Sequence, residues 1–225
     1  LRLIKIMMQE LLIADDHPLF REALKGFISK YYPSTRIHEA ERASDLYELV
    51  EAHPDADLLL LDLNMPDTVG FNALIYLRNE YPALPVAIIS AHETPQLMRR
   101  ALEHGAVGFI PKSSPQEELK TAIESILQGM PWAPAAAQEA PAISEEERNA
   151  ANALRSLTPQ QLRVLQMVCT GLLNKQIAYE LDVSEATVKT HMTAILRKLG
   201  ANNRTQAVLI ANQLQLNPSE LDFET

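Results

Sequence analysis

Four short apolar runs recur along the first half of the chain, each followed by a helix-like stretch. They are Leu11–Ala14, Leu58–Leu61, Pro85–Ile89 and Val107–Ile110. Each is continuous rather than alternating, the pattern of a strand buried on both faces. Thr35–Ala40, more polar, reads as a further strand. Between the runs, apolar residues return at helical spacing. Pro18–Ser29 places Leu19, Ala23, Leu24, Phe27 and Ile28 on one face, and Ser44 can cap a helix running to about His53. Phe71–Tyr81 follows, then a helix from Thr94-Pro95 to His104-Gly105 with Pro at its first position. Ser114-Pro115-Gln116-Glu117 reads as a capping box for a helix to Gly129. Five β-α units within residues 10–128 predict the α/β class: a doubly wound, five-stranded parallel sheet.

The pattern changes at Gly129. Pro131, Pro134 and Pro141 stand among small residues up to Ile143, too few large apolar groups for a core. Residues 129–151 therefore read as a linker unable to hold two domains rigidly, open to proteases between Gly129 and Ile143. Within it, Ser144-Glu145-Glu146-Glu147 is a second capping box, opening a helix from about 145 to 155. The last third is all helical. Thr158-Pro159-Gln160-Gln161 opens a helix ending at Thr170-Gly171, Asn174–Leu181 is a short helix, and Asp182-Val183 is a tight turn. Ser184 caps a longer helix to Leu199-Gly200, and Arg204–Leu214 is the last. Residues 152–216 thus form an all-α, four-helix unit, followed by an acidic tail from Glu220 that is expected to fray.

Charge divides the same way. The 225 residues carry a net charge of −9, which argues against a nucleic-acid partner until it is apportioned. Residues 9–128 hold 10 basic and 19 acidic side chains, residues 129–154 hold 1 and 4, and residues 155–212 hold 7 and 3. The acid lies in the first unit and the excess of base in the helical one, which suggests two jobs on one chain. The lone Cys169 excludes disulfides and cysteine metal sites within one chain and fits a reducing cytoplasm. No apolar stretch approaches the roughly 20 residues of a membrane span. The opening Leu1–Met8 lacks a small-residue cleavage site, so no signal peptide is expected, and Met7 or Met8 is the expected natural start.

The candidate chemistry sits where strands end. In an open parallel sheet, ligands bind outside the carboxyl ends of the strands. Asp15 and Asp16 follow the first strand, Asp62 the third, Ser90 the fourth and Lys112 the fifth. Three converging carboxylates repel one another, and a hard divalent cation such as Mg²⁺ relieves this. A metal, a carboxylate, an ammonium and a hydroxyl together suit phosphoryl transfer, with a carboxylate oxygen attacking in line. In the helical unit, arithmetic at about 100° per residue separates two arcs on the helix after Ser184. Val188, Met192, Ile195 and Leu199 share one; Ala186, Lys189, Thr190, Thr193 and Arg197 share the other. The second arc is polar or basic with small residues between, which suits a major groove.

The segments Leu11-Leu12-Ile13-Ala14-Asp15-Asp16-His17-Pro18, Leu60-Leu61-Asp62-Leu63-Asn64-Met65-Pro66, Ser90-Ala91 and Gly108-Phe109-Ile110-Pro111-Lys112 resemble the receiver domains of response regulators, whose sheet is flavodoxin-like. The resemblance implies Asp62 as phosphoacceptor, and Mg²⁺ held by Asp16, Asp62 and the Asn64 carbonyl, with Asp15 acting through water. Ser90 and Lys112 would bind the phosphoryl group, and Ser90 and Phe109 would be the switch residues. The loop Asp67-Thr68-Val69-Gly70 departs from the commoner form of that family. Leu157-Thr158-Pro159, Gly171, Asn174-Lys175-Gln176-Ile177-Ala178, Leu181, Val183-Ser184, Thr187-Val188-Lys189-Thr190-His191 and Leu199-Gly200 resemble the LuxR-type helix-turn-helix of the NarL/FixJ class. By that resemblance Lys189, Thr190 and Thr193 face bases, while Lys175, Thr187, Arg197 and Arg204 touch phosphates. The last helix would supply a homodimer contact on double-stranded promoter DNA. A sensor histidine kinase is the implied phosphoryl donor, and RNA polymerase is admitted as a further partner. Two rivals stand beside this reading. An aspartate-nucleophile phosphatase needs an acid two residues after the nucleophile, where this chain has Asn64. A regulator independent of phosphorylation would use the first domain only as an interaction module.

Overall fold

The computed structural model describes residues 8–66 and 70–214. The expectations made for the opening segment, for residues 67–69 and for the tail from Glu220 lie outside the described residues. The first unit is β1 (Glu10–Ala14), α1 (Pro18–Tyr31), β2 (Arg36–Ala40), α2 (Ala43–Ala52), β3 (Leu58–Leu61), α3 (Asn72–Glu80), β4 (Val86–Ser90), α4 (Pro95–Glu103), β5 (Gly108–Pro111) and α5 (Gln116–Leu127). The strands form one parallel sheet in the order β2-β1-β3-β4-β5. Its centre, β3, is four buried leucines, as a strand covered on both faces requires. One face packs on α1 and α5 through Leu24, Phe27, Ile123 and Ile126. The other packs on α2, α3 and α4 through Leu46, Leu74 and Leu97.

Several local readings are corrected. Leu19 is 86% exposed, off the buried face of α1. Ser44 lies inside α2 and does not cap it; its hydroxyl meets Asp45. Nor does Ser114 cap α5, whose N-cap is Pro115 with no side-chain bond. Thr94 does cap α4, accepting from the Leu97 N–H.

The segment after α5 is not loose. Trp132 adds itself to the sheet edge: its N–H donates to Val107 O at 3.1 Å, and the Phe109 N–H donates to Trp132 O at 2.9 Å. A 3₁₀ turn over Ala135–Gln138 then lays Ala137 in the core beside α4. The second unit follows as α6 (Glu145–Arg155), α7 (Pro159–Cys169), α8 (Asn174–Glu180), α9 (Glu185–Leu199) and α10 (Arg204–Asn212). α6 crosses the expected boundary at residue 152. Thr158 and Gln161 form the reciprocal capping box of α7, and Ser184 caps α9. Between α8 and α9, Asp182 adopts φ of 50°, the left-handed conformation that a tight turn demands. Buried side chains run without a break from Leu74 and Leu97 through Leu154 to Leu162 and Val188, so the two units share a core. Backbone pairing and this packing tie the segment to both units, a contact that proline-rich composition alone does not predict.

The close pass of Trp132 over β5 makes Gly108 sensitive. A Cβ there would lie 2.7 Å from Ile126 Cδ1 and 3.0 Å from Trp132 O. Gly108→Ala is therefore expected to cost about 1–3 kcal/mol, as overpacking does, and to loosen the 129–143 segment. Urea unfolding with limited proteolysis checks this. Unchanged stability together with unchanged cleavage would mean that the edge pairing is not tight.

Candidate functional site

The carboxyl ends of β1, β3, β4 and β5 meet at one edge, because the parallel register aligns Ala14 with Leu61 and Ser90 with Pro111. Asp15, Asp62 and Lys112, the residues after β1, β3 and β5, and Ser90, the last residue of β4, stand at a common pocket. Asp15 is fully buried and Asp62 is 2% exposed. Lys112 reaches both, its Nζ 2.6 Å from Asp15 Oδ2 and 2.8 Å from Asp62 Oδ2. The Asn64 N–H donates to Asp62 Oδ1 at 3.1 Å, and the His92 N–H donates to the buried Ser90 hydroxyl at 3.1 Å. His17, part of the recognised segment but given no role from sequence, leans over the pocket with Nδ1 2.7 Å from Asp16 Oδ1. Phe109 lies fully buried two residues before Pro111, the pocket-side end of β5.

Burial pushes the Asp62 carboxyl above the ordinary carboxylate range. The hydrogen bond and charge of Lys112 and the Asn64 N–H pull it part of the way back, and the charge of Asp15 adds to the rise. The pocket therefore has more anionic oxygen than its own cation satisfies. Asp15 Oδ2 and Asp16 Oδ1 are buried without a hydrogen-bond partner; the approaches of Lys112 to Asp15 and of His17 to Asp16 lack hydrogen-bond geometry. Ligand atoms of Asp15, Asp16, His17 and Asp62 lie within 4.8 Å of one another. Hard oxygen donors, crowded and under-neutralised, fit a divalent cation such as Mg²⁺.

In the second unit, Val188, Met192, Ile195 and Leu199 of α9 are buried, while Ala186, Lys189, Thr190, Thr193 and Arg197 are exposed. Lys189 pairs with Glu185 at 3.0 Å in the open, and Lys175 on α8 is exposed. Thr190 and Thr193 donate back to the Ala186 and Lys189 carbonyls, and the half-buried Thr187 meets the Ser184 cap. Arg204 is set apart from these. Its guanidinium turns inward to the carbonyls of Val168 and Leu172 and to Asn174.

The profile described as response regulator receiver domain matches residues 11–124, and that described as bacterial regulatory proteins, luxR family, matches residues 155–211. A "Glycerol metabolism activator" of Pseudomonas putida is 45% identical over 213 residues, covering 92% of this chain and 96% of its own. The nitrate/nitrite response regulator protein NarL of Escherichia coli K12 is 32% identical over 211 residues, 90% of this chain and 94% of that one. This chain belongs to the response regulators with a LuxR-type helix-turn-helix. A solved structure of RcsB from Salmonella enterica serovar Typhimurium, bound to promoter P1flhDC with phosphomimetic BeF₃⁻, shares the two-domain fold at a TM-score of 0.54 and 22% identity. It covers 92% of this chain and 99% of that one. Among the described residues no helix is long and apolar enough to cross a membrane.

How this response regulator joins its domains was not visible in sequence. Glu147 does not close the capping box expected of it. Ser144 accepts from the Glu147 N–H, but the Glu147 carboxylate turns to the receiver. There its Oε1 accepts from Arg100 Nε at 2.8 Å and meets His104 Nε2 at 2.7 Å. Arg100 also lies over the Phe71 ring, and the Phe71 N–H donates to Leu214 O at 3.1 Å, just after α10. On α2, Tyr47 OH accepts from Gln166 of α7 at 2.9 Å. The receiver thus holds α6, α7 and the end of α10, and leaves the exposed arc of α9 free of this contact.

Two outcomes follow from these charges. Because burial raises the folded Asp62 pKa, its ionisation costs stability, absent below the unfolded pKa and fully present above the folded one. Asp62→Asn is expected to raise the thermal midpoint at pH 7 without metal, with the gain fading as pH falls through the Asp62 pKa. A lower midpoint at pH 7 would contradict it. Glu147 is the opposite case. Burial raises its pKa, but the hydrogen bonds and charges of His104 and Arg100 outweigh this and hold it below the usual range. Its stabilising effect is present above the ordinary carboxylate pKa and lost as pH falls through the depressed one. Glu147→Ala is expected to destabilise the domain contact by about 1–3 kcal/mol, as the loss of a half-buried, charged hydrogen-bond partner does. Small-angle scattering should then show a larger particle; unchanged dimensions and midpoint would show that Glu147 does not hold the domains.

Proposed function

We propose that this protein takes a phosphoryl group on Asp62 from the phosphohistidine of a sensor kinase and, so modified, binds promoter DNA as a homodimer to control transcription. The observation that carries the reading is the under-neutralised set of the buried Asp15 and Asp62 and the half-buried Asp16, facing Lys112 and Ser90 at the strand ends. Asp15, Asp16, Asp62 and the Asn64 carbonyl are the residues to hold Mg²⁺, which when bound supplies positive charge for the phosphoryl oxygens. The Asp62 carboxylate oxygen attacks phosphorus in line, and the histidine nitrogen leaves with the bonding pair. Lys112 stays with the new phosphoryl oxygens. The Ser90 oxygen accepts from the His92 N–H, so its proton is left to donate to them. Phe109 is the second switch residue. Its N–H is bonded to the linker at Trp132, which gives a short route from the pocket to the contact between domains.

On the DNA side, Lys189, Thr190 and Thr193 face base edges, with Lys175, Thr187 and Arg197 on phosphates. Arg204 serves the scaffold of the domain instead. Lys189 leaves only an exposed pair with Glu185, which is worth little. Since the receiver grips the end of α10 and not α9, restraint in the unmodified protein acts through the dimer helix. The name of the Pseudomonas putida relative makes activation of glycerol-metabolism promoters the first output to examine.

Acetyl phosphate with Mg²⁺ should add one phosphoryl mass to the wild type and none to Asp62→Asn; equal labelling would remove Asp62 from its role. In titrations of residues 152–216 against specific and scrambled duplexes, Lys189→Ala should cost about 1–3 kcal/mol on the specific site. Arg197→Ala should weaken both and lower the salt slope by roughly one unit. Equal losses on both duplexes for Lys189→Ala would deny it a base contact.

A further inference from the structure

At the opposite end of β1 from the phosphorylation pocket lies a second cluster of donor groups. Glu10 is the first residue of β1, His38 is on the edge strand β2 two residues past the partner of Glu10, and His53 is the C-cap of α2. His38 Nε2 lies 2.9 Å from Glu10 Oε1, and His53 Nδ1 lies 3.2 Å from the same oxygen. The two imidazoles stack, with centroids 3.8 Å apart and planes 30° apart. All three side chains are half-buried, and one donor atom from each lies within 4.8 Å of the others.

The geometry points to a transition-metal site, of Zn²⁺ type, made by Glu10, His38 and His53. Tetrahedral zinc has arms of about 2.0–2.1 Å to nitrogen, so neighbouring donor atoms stand about 3.3 Å apart. The two measured nitrogen–oxygen separations are close to that edge without any backbone movement. The donor set decides the ion. Two imidazole nitrogens and one carboxylate suit Zn²⁺, Cu²⁺ or Ni²⁺, and disfavour the Mg²⁺ that suits the all-oxygen pocket at the other end. Burial pushes the Glu10 carboxyl up, but the His38 hydrogen bond and the nearby charges of Arg36, His53 and His38 bring it below the usual range, so it is anionic at neutral pH. Arg36 stands 3.6 Å from Glu10 Oε1 and competes for it. Its side chain is largely exposed and can swing into solvent. A fourth position remains for water. A bound ion would clamp β1, the edge strand β2 and the end of α2. That helix also carries Tyr47, which bonds the DNA-binding domain.

The test uses the untagged full chain, stripped by chelator and kept in millimolar Mg²⁺ to occupy the acidic pocket. Zn²⁺ is titrated against a chromogenic chelator. The wild type and Asp16→Asn should each bind one Zn²⁺ tightly. His38→Gln/His53→Gln should lose more than the roughly 100-fold in affinity that loss of an outer-shell partner alone can cost. Equal affinity in the double variant, or loss in Asp16→Asn alone, would overturn the site. If the double variant fails to fold, Cu²⁺ bound to the wild type decides the matter. Hyperfine coupling to two imidazole nitrogens supports the assignment, and coupling to one or none refutes it.

Discussion

A carboxylate sealed beneath a sheet edge, beside two others, is the condition on which the receiver turns. Asp62 is almost wholly removed from water, and Lys112 and one backbone N–H only partly compensate for the lost hydration. Such a group is costly to keep ionised and gains from any positive charge delivered to it. The parallel sheet explains why the cost is tolerated. Its strands all end at one edge, so Asp15, Asp62, Ser90 and Lys112 come together without any loop having to be long or strained. Stability lost in the pocket is recovered in the leucine-rich centre of the sheet.

The same economy of position governs the link between the domains. Glu147 lies in the first turn of α6, where the helix dipole already favours an anion, and it answers two cationic or donor groups at once, Arg100 on α4 and His104 at its C-cap. Arg100 in turn covers Phe71, whose backbone holds the end of α10. The Phe109 backbone, on the strand that leads to Lys112, is paired with the linker that feeds α6. Pocket, linker and the end of α10 are therefore neighbours through bonded backbone and one ion-pair network.

Much of this was legible in the residues and some was not, for physical reasons. Continuous apolar runs ending in Asp, Ser or Lys reveal both the sheet and its functional edge, because burial on two faces leaves a strand no other pattern. The arcs of α9 were legible because helical period alone divides them. Glu147 was misread as closing a local cap. Its true partners, Arg100 and His104, lie more than forty residues away, and no local rule can rank a remote cation above a nearby amide. Trp132 was hidden among prolines, since strand addition at an edge needs only backbone. The resemblance made Arg204 a phosphate contact, but its guanidinium is held by the carbonyls of Val168 and Leu172 at the end of α7. Glu10, His38 and His53 form no motif, because three separate elements bring them together.

The central claim is that charge placed on Asp62 is felt at the contact between the domains. Interdomain distance tests it most directly. Spin labels at Gln96→Cys on α4 and Asn202→Cys before α10, with Cys169→Ser, would be measured with and without acetyl phosphate and Mg²⁺. The account predicts that the distance distribution shifts or broadens on phosphorylation and stays fixed in Asp62→Asn. A distribution that does not change in a protein shown to be phosphorylated, or that changes equally in Asp62→Asn, would contradict it.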